Sequence, residues 1–351
     1  MRAEASGAGV PRWIVFVASL AVLSVAYLYA PTNVSNVVTL SESFEQTLET
    51  RAQTNMAETF YNIATDFYEW GWSQSFHFAP RWSSESFESS LIRHEHGLAM
   101  HLDLRKGHKA VDLGCGVSGP LRNIVRFTQA DVTGLTITKY QVGVGNRKIK
   151  EAGLAHLARV VHGNYHEQPF ADNTFDRGYD FEASLHSDNL PQYYREVFRT
   201  LKPGGRFAGF AYIWAANFDP DNNATHKEIR DDYRIGNGCS RLYKWPEWEA
   251  AILASGLTLE YHTDLAGTTD VNWYAQLQPS YGTLSGFAAT PLGMGVTSLL
   301  TLWMERLRLA PKGTHEAHEL LVRGGRSLKV GGEMGLVTPM HLYVVTKKEK
   351  A

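Results

Sequence analysis

Between residues 109 and 214, short apolar runs alternate with stretches of helical periodicity. KAVDLG, DVTGLT, ARVVHG, FDRGYDF and RFAGFAYIW read as strands, and helices fit between them at 120–128, 139–152 and 189–201. Strands alternating with helices predict an α/β fold, a doubly wound and mostly parallel sheet covered on both faces. A further helix, WPEWEAAILASG, and a strand, LTLEYHT, extend the pattern. Residues 265–340 break it with Gly, Thr and apolar residues, after which HLYVVTKK is predicted to return to the sheet. Ahead of the alternation, residues 31–60 read as a polar linker entering a helix. Ser41 or Ser43 would cap it, and Phe44, Leu48, Met56, Phe60, Ile63 and Phe67 recur at roughly helical spacing.

The N-terminal pattern is different. Trp13 to Ala30 (WIVFVASLAVLSVAYLYA) carries no charge, with Arg2 and Arg12 before it and Pro31 after it. Its length is near the ~20 residues that span a bilayer. We read it as a single uncleaved anchor. A cleaved signal peptide is the competing reading, but its apolar core is usually ~7–15 residues. The arginines would place the short tail in the cytosol and the remainder in the lumen, against the needs of a cytosolic cofactor, so topology stays open. The expected divisions are a tail and anchor at 1–31, a helical linker with an aromatic segment at 32–108, a cofactor domain at 109–264 and a C-terminal domain at 265–351. Around Leu299, Leu300, Leu302 and Trp303 the expectation is a core helix lining an acceptor cavity, with a membrane-inserting surface as the other reading.

Net charge is −2 over 351 residues, which gives no basic footprint for nucleic acid. Two cysteines, Cys115 and Cys239, make no disulfide framework, and the 14 histidines include no H-E-x-x-H pair, so no metal site is expected.

The chemistry concentrates in two stretches. VDLGCGVSGP follows a strand and opens a helix. Asp112 stands at the strand end, and Gly114, Gly116 and Gly119 allow a tight turn and close approach to a ligand around Cys115. The acid two residues before the first glycine separates this loop from a dinucleotide fingerprint. D-x-G-C-G is similar to the loop of S-adenosylmethionine-dependent methyltransferases, where an anion faces the methionine amino group. A tight turn without a ligand is the plain alternative. The second stretch, YEWGWSQSFHFAPRW (68–82), gathers six Tyr, Trp or Phe rings with one acid and one base.

From Tyr61 to the C-terminus the chain resembles the sterol 24-C-methyltransferases. The resemblance rests on YEWGWSQSFHFA, on DLGCGVSGPLRNIVRFTQADVTGL, on YDFEASLHS, on FDPDNNATHKEIRDDYRIGNG, and on LRLAPKGTHEAHELL with the late TPM. It implies a class I methyltransferase fold, S-adenosylmethionine as cofactor, and methylation of an isolated sterol side-chain alkene through a carbocation. Aromatic faces attract a desolvated cation by ~0.5–2 kcal/mol each without offering a lone pair that would trap it. Tyr68, Trp70, Trp72, Phe76 and Phe78 would form such a wall. Glu69, His77, Glu182 and His186 are candidates to anchor the sterol hydroxyl or take the final proton. The plain reading of any one ring or histidine is core packing. Asn164 and Tyr165 (in GNYHEQPFADNTFD) fall where that segment reaches the adenine. The resemblance further implies a lipid acceptor, a membrane partner and residence at the endoplasmic reticulum; a homo-oligomer is compatible with it.

The chain departs from the family pattern in places. Lys139 stands where an acid is usual, leaving Thr136, Thr138 and Gln141 for the ribose. Ser118 replaces a glycine. Ala211 and Ala216 stand where acids are usual, which would make the acceptor pocket more apolar and would suit a linear triterpene or another isoprenoid. A scaffold without turnover, or an amine N-methyltransferase, are further alternatives. The intact D-x-G-C-G loop argues against the first, and few acids near the pocket argue against the second.

Overall fold

The strand β1, Lys109–Leu113, is buried at every residue except its first, as a strand flanked on both sides and both faces must be. In the computed structural model, which describes residues 57–349 apart from 59, 62–64, 66–68, 70–71, 240, 280–285, 288 and 311–312, β1 pairs in parallel with β2 (Asp131–Thr136) and β4 (Phe175–Phe181). β2 continues in parallel to β3 (Ala158–His162), and β4 to β5 (Leu201–Trp214). β8 (Val337–Thr346) inserts antiparallel between β5 and β7 (Thr258–Asp264), giving the order 3-2-1-4-5-8-7. The short β6 (Tyr243–Lys244) pairs off β5. This is the mostly parallel α/β sheet that the alternation predicts. The anchor segment, residues 31–56 of the linker and helix expected over 31–60, Tyr68 and Trp70 lie outside the described residues. Among the described residues no helix is long and apolar enough to cross a membrane.

The helices start where short polar side chains can satisfy the free N–H groups. Ser86 caps α1 (Phe87–His101), Thr138 caps α3 (Lys139–Glu151), Asn189 caps α4 (Leu190–Thr200) and Asn223 caps α5 (Ala224–Gly236). α1, α2 (Gly119–Thr128) and α3 bury Leu98, Ile124 and Ile149 on one face of the sheet. α4 and α6 (Trp245–Ala254) bury Tyr193, Tyr194 and Trp248 on the other.

Residues 265–340 hold two helices, α7 (Pro291–Arg306), expected from the sequence only around Leu299–Trp303, and α8 (Thr314–Glu333), which the sequence pattern did not reveal. With α5, α8 builds a third apolar cluster, in which Ile229, Tyr233 and Leu328 meet Phe78, Tyr212 and Trp214. α5 and α8 meet backbone to backbone. A Cβ on Gly324 would lie 2.5 Å from the Gly236 carbonyl oxygen, and one on Gly236 would lie 2.2 Å from the Gly324 nitrogen. Backbone cannot swing aside as a side chain can, so Gly324→Ala must part the helices. We expect a loss of about 3 kcal/mol, the upper end of ordinary overpacking, read as a lower urea midpoint with unchanged slope. A midpoint within error of the parent would refute this contact.

Candidate functional site

The turn after β1 carries positive φ at three of five residues: Gly114 (+81°), Gly116 (+53°) and Ser118 (+68°). The amides of Gly114 and Cys115 both donate to the Leu135 carbonyl at the end of β2, at 2.8 and 3.1 Å, which closes the loop against the neighbouring strand. Gly114 packs on the next strand's turn, where its missing Cβ would lie 2.2 Å from the Ala183 Cβ. Gly119 has a different neighbour. It opens α2 and admits the aromatic segment, since a Cβ there would sit 2.0 Å from the Gln74 carbonyl oxygen. Gly119 therefore lies outside the cavity lining and seats residues 72–78 on α2.

A cavity of ≈ 320 Å³ opens beside this loop. Of the residues singled out from the sequence, Asp112, Gly114, Cys115, Gly116, Thr136, Gln141, Asn164 and Tyr165 line it, together with Trp72, Phe76, His77, Phe78, Glu182 and His186. Asp112 is buried, and its Oδ2 has no hydrogen-bond partner. Burial first, and the nearby Asp180 second, push its carboxyl well above the usual carboxylate range. A cationic amino group brought to that oxygen would supply the missing partner and reverse the shift, so the loop fits the methionine end of S-adenosylmethionine. Thr136 donates to the Gln141 side chain at 2.6 Å, and Gln141 donates to Thr65 at 3.0 Å, so both polar ends stand ordered beside the cavity. Thr138 instead caps α3 through its hydroxyl, and Lys139 is exposed.

Glu182 occupies a left-handed conformation, φ +59°, at the turn after β4. The Phe78 amide donates to its Oε1 at 2.8 Å, and the Tyr212 phenol also donates to it. Burial nevertheless dominates and holds the carboxyl well above its usual range. The turn is braced from behind by Asp180, which accepts from the Ser184 amide at 3.0 Å and from the Tyr343 hydroxyl at 3.1 Å. Burial raises Asp180 to about 6. His186 receives the Tyr61 hydroxyl on Nε2 at 2.8 Å and directs Nδ1 at the Gly238 carbonyl at 3.3 Å. These partners place its proton on Nδ1. Burial lowers its pKa to about 4, so the ring is neutral at physiological pH.

His77 is held by a buried network. Nδ1 meets the Phe78 carbonyl at 2.7 Å and Nε2 meets Glu95 Oε1 at 3.1 Å, with Ser75 and Asn123 also donating to Glu95 at 2.6 and 2.7 Å. Its ring stacks on Phe181 with centroids 4.6 Å apart. The network fixes the segment that presents Trp72, Phe76 and Phe78 to the cavity.

Two expectations are corrected by these placements. Glu69 does not line the cavity; it pairs with Lys148 of α3 at 2.6 Å, and a carboxylate held by that largely buried ammonium is not offered to an acceptor. Ala211 and Ala216 do not thin out the acceptor pocket. Ala211 lies on the α4/α6 face of β5 and Ala216 is exposed. The inward position is Tyr212, one residue along the strand. The apolar-pocket argument for a linear triterpene loses its basis. The cavity also uses Phe60, Tyr61, Tyr233, Asn237 and, from α8, Leu321 and Leu328, none of which was singled out as a site residue, although Tyr233, Asn237 and Leu321 fall within stretches that carry the resemblance. Strand alternation across Ala211–Trp214 could have found Tyr212; the others depend on how α5 and α8 pack over the sheet.

Comparison with known proteins agrees with this layout. Residues 111–209 match the family described as Methyltransferase domain, and residues 284–348 match Sterol methyltransferase C-terminal. Cycloartenol-C-24-methyltransferase 1 of Oryza sativa subsp. japonica is 38% identical over 84% of this chain and 85% of its own length. The sterol 24-C-methyltransferase of Saccharomyces cerevisiae is 35% identical over 84% of this chain and 78% of its own. Among solved structures, a cyclopropane synthase of Mycobacterium tuberculosis superposes with a TM-score of 0.65 at 14% identity, over 84% of this chain and 98% of that one, a likeness of fold.

Proposed function

This chain belongs to the sterol 24-C-methyltransferase family, and from that premise we propose that it transfers a methyl group from S-adenosylmethionine to carbon 24 of a sterol side-chain alkene, in sterol biosynthesis. One observation carries the mechanism. The cavity is walled by the rings of Phe60, Tyr61, Trp72, Phe76, Phe78, Phe181, Tyr212 and Tyr233, holds the carboxyls of Asp112 and Glu182, and among the described residues is lined by no Lys or Arg. Such a site favours positive charge and leaves the charge few nucleophiles to combine with.

S-adenosylmethionine, when bound, supplies an electrophilic methyl group. Asp112 and the backbone of the Gly114–Gly116 turn would hold its amino acid end, with Thr136, Gln141 and Asn164 towards the adenosine. The aromatic wall stabilises the charge left on the acceptor when its alkene gives up an electron pair, and it keeps water out. Glu182 and the neutral His186 stand in the same cavity as groups that can take the departing proton. Asp180, behind the turn, and Tyr61, through its hydroxyl on His186, hold them in place.

The apolar run at 13–30 supports attachment to a membrane, which we take to be the endoplasmic reticulum. Fractionation of the full chain against a form with that run made polar tests this; unchanged sedimentation with membranes would refute the anchor's role.

The acceptor is tested by incubating the protein and labelled S-adenosylmethionine with desmosterol-like, cycloartenol-like and squalene-like acceptors. Label should enter the sterols. Preferential labelling of the squalene-like acceptor would overturn the sterol assignment. If ring faces stabilise the cation, Trp72→Leu should lower kcat by roughly 5–30-fold, the equivalent of ~1–2 kcal/mol of lost attraction. The acceptor's KM should move less. A KM effect alone would make Trp72 a packing residue, consistent with its edge contacts to Phe78 and Phe87 at 4.9 and 5.1 Å.

A further inference from the structure

The outer side of α7 carries a stripe of exposed apolar side chains. Leu292, Val296, Leu299 and Trp303 recur at steps of three or four residues, which places them on one helical face, and Leu307 continues it beyond the helix end. Leu299 and Trp303 are 59% and 54% exposed, so the expected core helix lining the cavity is not what forms here. The inner side is polar and committed. Thr297 and Thr301 bond His318 and His315 at 3.2 Å each, Ser298 donates to Glu319 at 2.7 Å, and Glu305 accepts from the His315 amide at 3.1 Å. The usual order of a surface helix, apolar in and polar out, is inverted.

Two features identify the occupant of this face. No charged residue occurs from Val271 to Met304, and the first exposed charges after the stripe are both positive, Arg306 and Arg308, set among exposed Leu307 and Leu309. The Arg306 guanidinium lies over the Trp303 ring, 5.8 Å from its centroid. An apolar face with Trp and Arg at its end matches the boundary between acyl chains and anionic headgroups. At ~1.5 Å per residue the helix is too short to span a bilayer, and it suits lying along one. In addition α8, on the inner side of α7, lines the cavity through Leu321, Gly325 and Leu328. We propose that α7 docks on the surface of an anionic bilayer, separately from the N-terminal anchor, and brings the α8 wall of the cavity next to the lipid phase from which an apolar acceptor comes. The docking does not depend on the acceptor's identity; its effect on turnover rests on the lipid acceptor proposed above.

Cys115 and Cys239, the chain's own cysteines, are buried, so an introduced cysteine can be labelled selectively. Full chain with Leu299→Cys carrying an environment-sensitive fluorophore is mixed with phosphatidylcholine vesicles, with and without phosphatidylserine, and the same is done with the label at Phe127→Cys on α2. The expected result is a blue shift and quenching by brominated lipid at 299 and neither at 127, stronger with phosphatidylserine. In the double variant Arg306→Glu, Arg308→Glu, the affinity of this contact for phosphatidylserine vesicles should drop by roughly 30-fold or more, about 5-fold per arginine removed. Turnover of that variant should fall with acceptor in vesicles and hold with acceptor in detergent. A label at 299 that stays in water on vesicle-bound protein overturns the proposal. So does protection of the label without vesicles, with doubling of mass, which would make a second copy the occupant. Equal loss of turnover in both presentations also overturns it. Normal vesicle docking without labelling of any sterol would instead count against the acceptor assignment alone.

Discussion

Gly114→Val should abolish cofactor binding while leaving the sheet intact. The position needs φ +81°, where a β-branched residue is an outlier, and its Cβ would fall 2.2 Å from that of Ala183. The backbone strain is ~1–2 kcal/mol, and the overlap adds ~1–3 kcal/mol in a packed interior. If the loop escapes by moving, the whole is lost from binding, at least about 30-fold in affinity. The displaced turn would also disturb Glu182, which adjoins Ala183. Calorimetric titration with S-adenosylmethionine, beside circular dichroism to check the fold, measures the effect. Parent-like affinity would remove this turn from the site. Asp112→Asn is the milder companion: it keeps shape and removes the potential counter-charge, so affinity should drop without loss of the fold.

Glu182→Gln should cost turnover about 10²-fold or more if the carboxylate takes the final proton, the range of a lost general base. The substitution retains volume and an oxygen for the Phe78 amide. Burial raises the Glu182 pKa, so the folded cofactor-free protein keeps a proton there to higher pH than the unfolded chain does. The stabilisation is therefore present below the ordinary glutamate value of ~4.3 and is lost as pH rises through the folded-state pKa. Glu182→Gln lacks this titration, and its stability relative to the parent should improve from pH 5 to pH 8. Binding a cation favours the ionised carboxyl, so the parent should release protons on cofactor binding and bind more tightly as pH rises. Both effects should shrink in the variant, with Asp112 accounting for the remainder. Parent-like kcat in Glu182→Gln would transfer the proton-accepting role to His186, whose neutral ring is free of the need to deprotonate.

The strands and helices of the sheet were legible because burial on both faces forces continuous apolar runs and because Gly and polar caps mark their ends. Val111–Leu113 and Thr133–Leu135 could hardly be anything but inner strands. The helix α8 was not legible, and α7 was legible only around Leu299–Trp303, for a related reason. Their glycines at 293, 295, 324, 325, 331 and 332 read as turn signals in isolation. In the fold several are contact points: Gly324 touches Gly236, and a Cβ on Gly332 would strike Tyr274 and Trp273 at 2.5 and 2.8 Å.

The sequence by itself determined the sheet, the acid and glycines of the cofactor turn, and the gathering of aromatic residues ahead of it, since each depends on neighbours within a few positions along the chain. Only the tertiary structure decided what those residues face. It sent Glu69 to Lys148, turned Tyr212 rather than Ala211 inward, set Tyr61 on His186 across 125 positions, and left Asp112 with a buried oxygen unpaired. The ionisation of Asp112, Glu182 and His186 follows from that burial and not from residue type. Desolvation and partner geometry are sums over groups distant in sequence, so no local pattern encodes them.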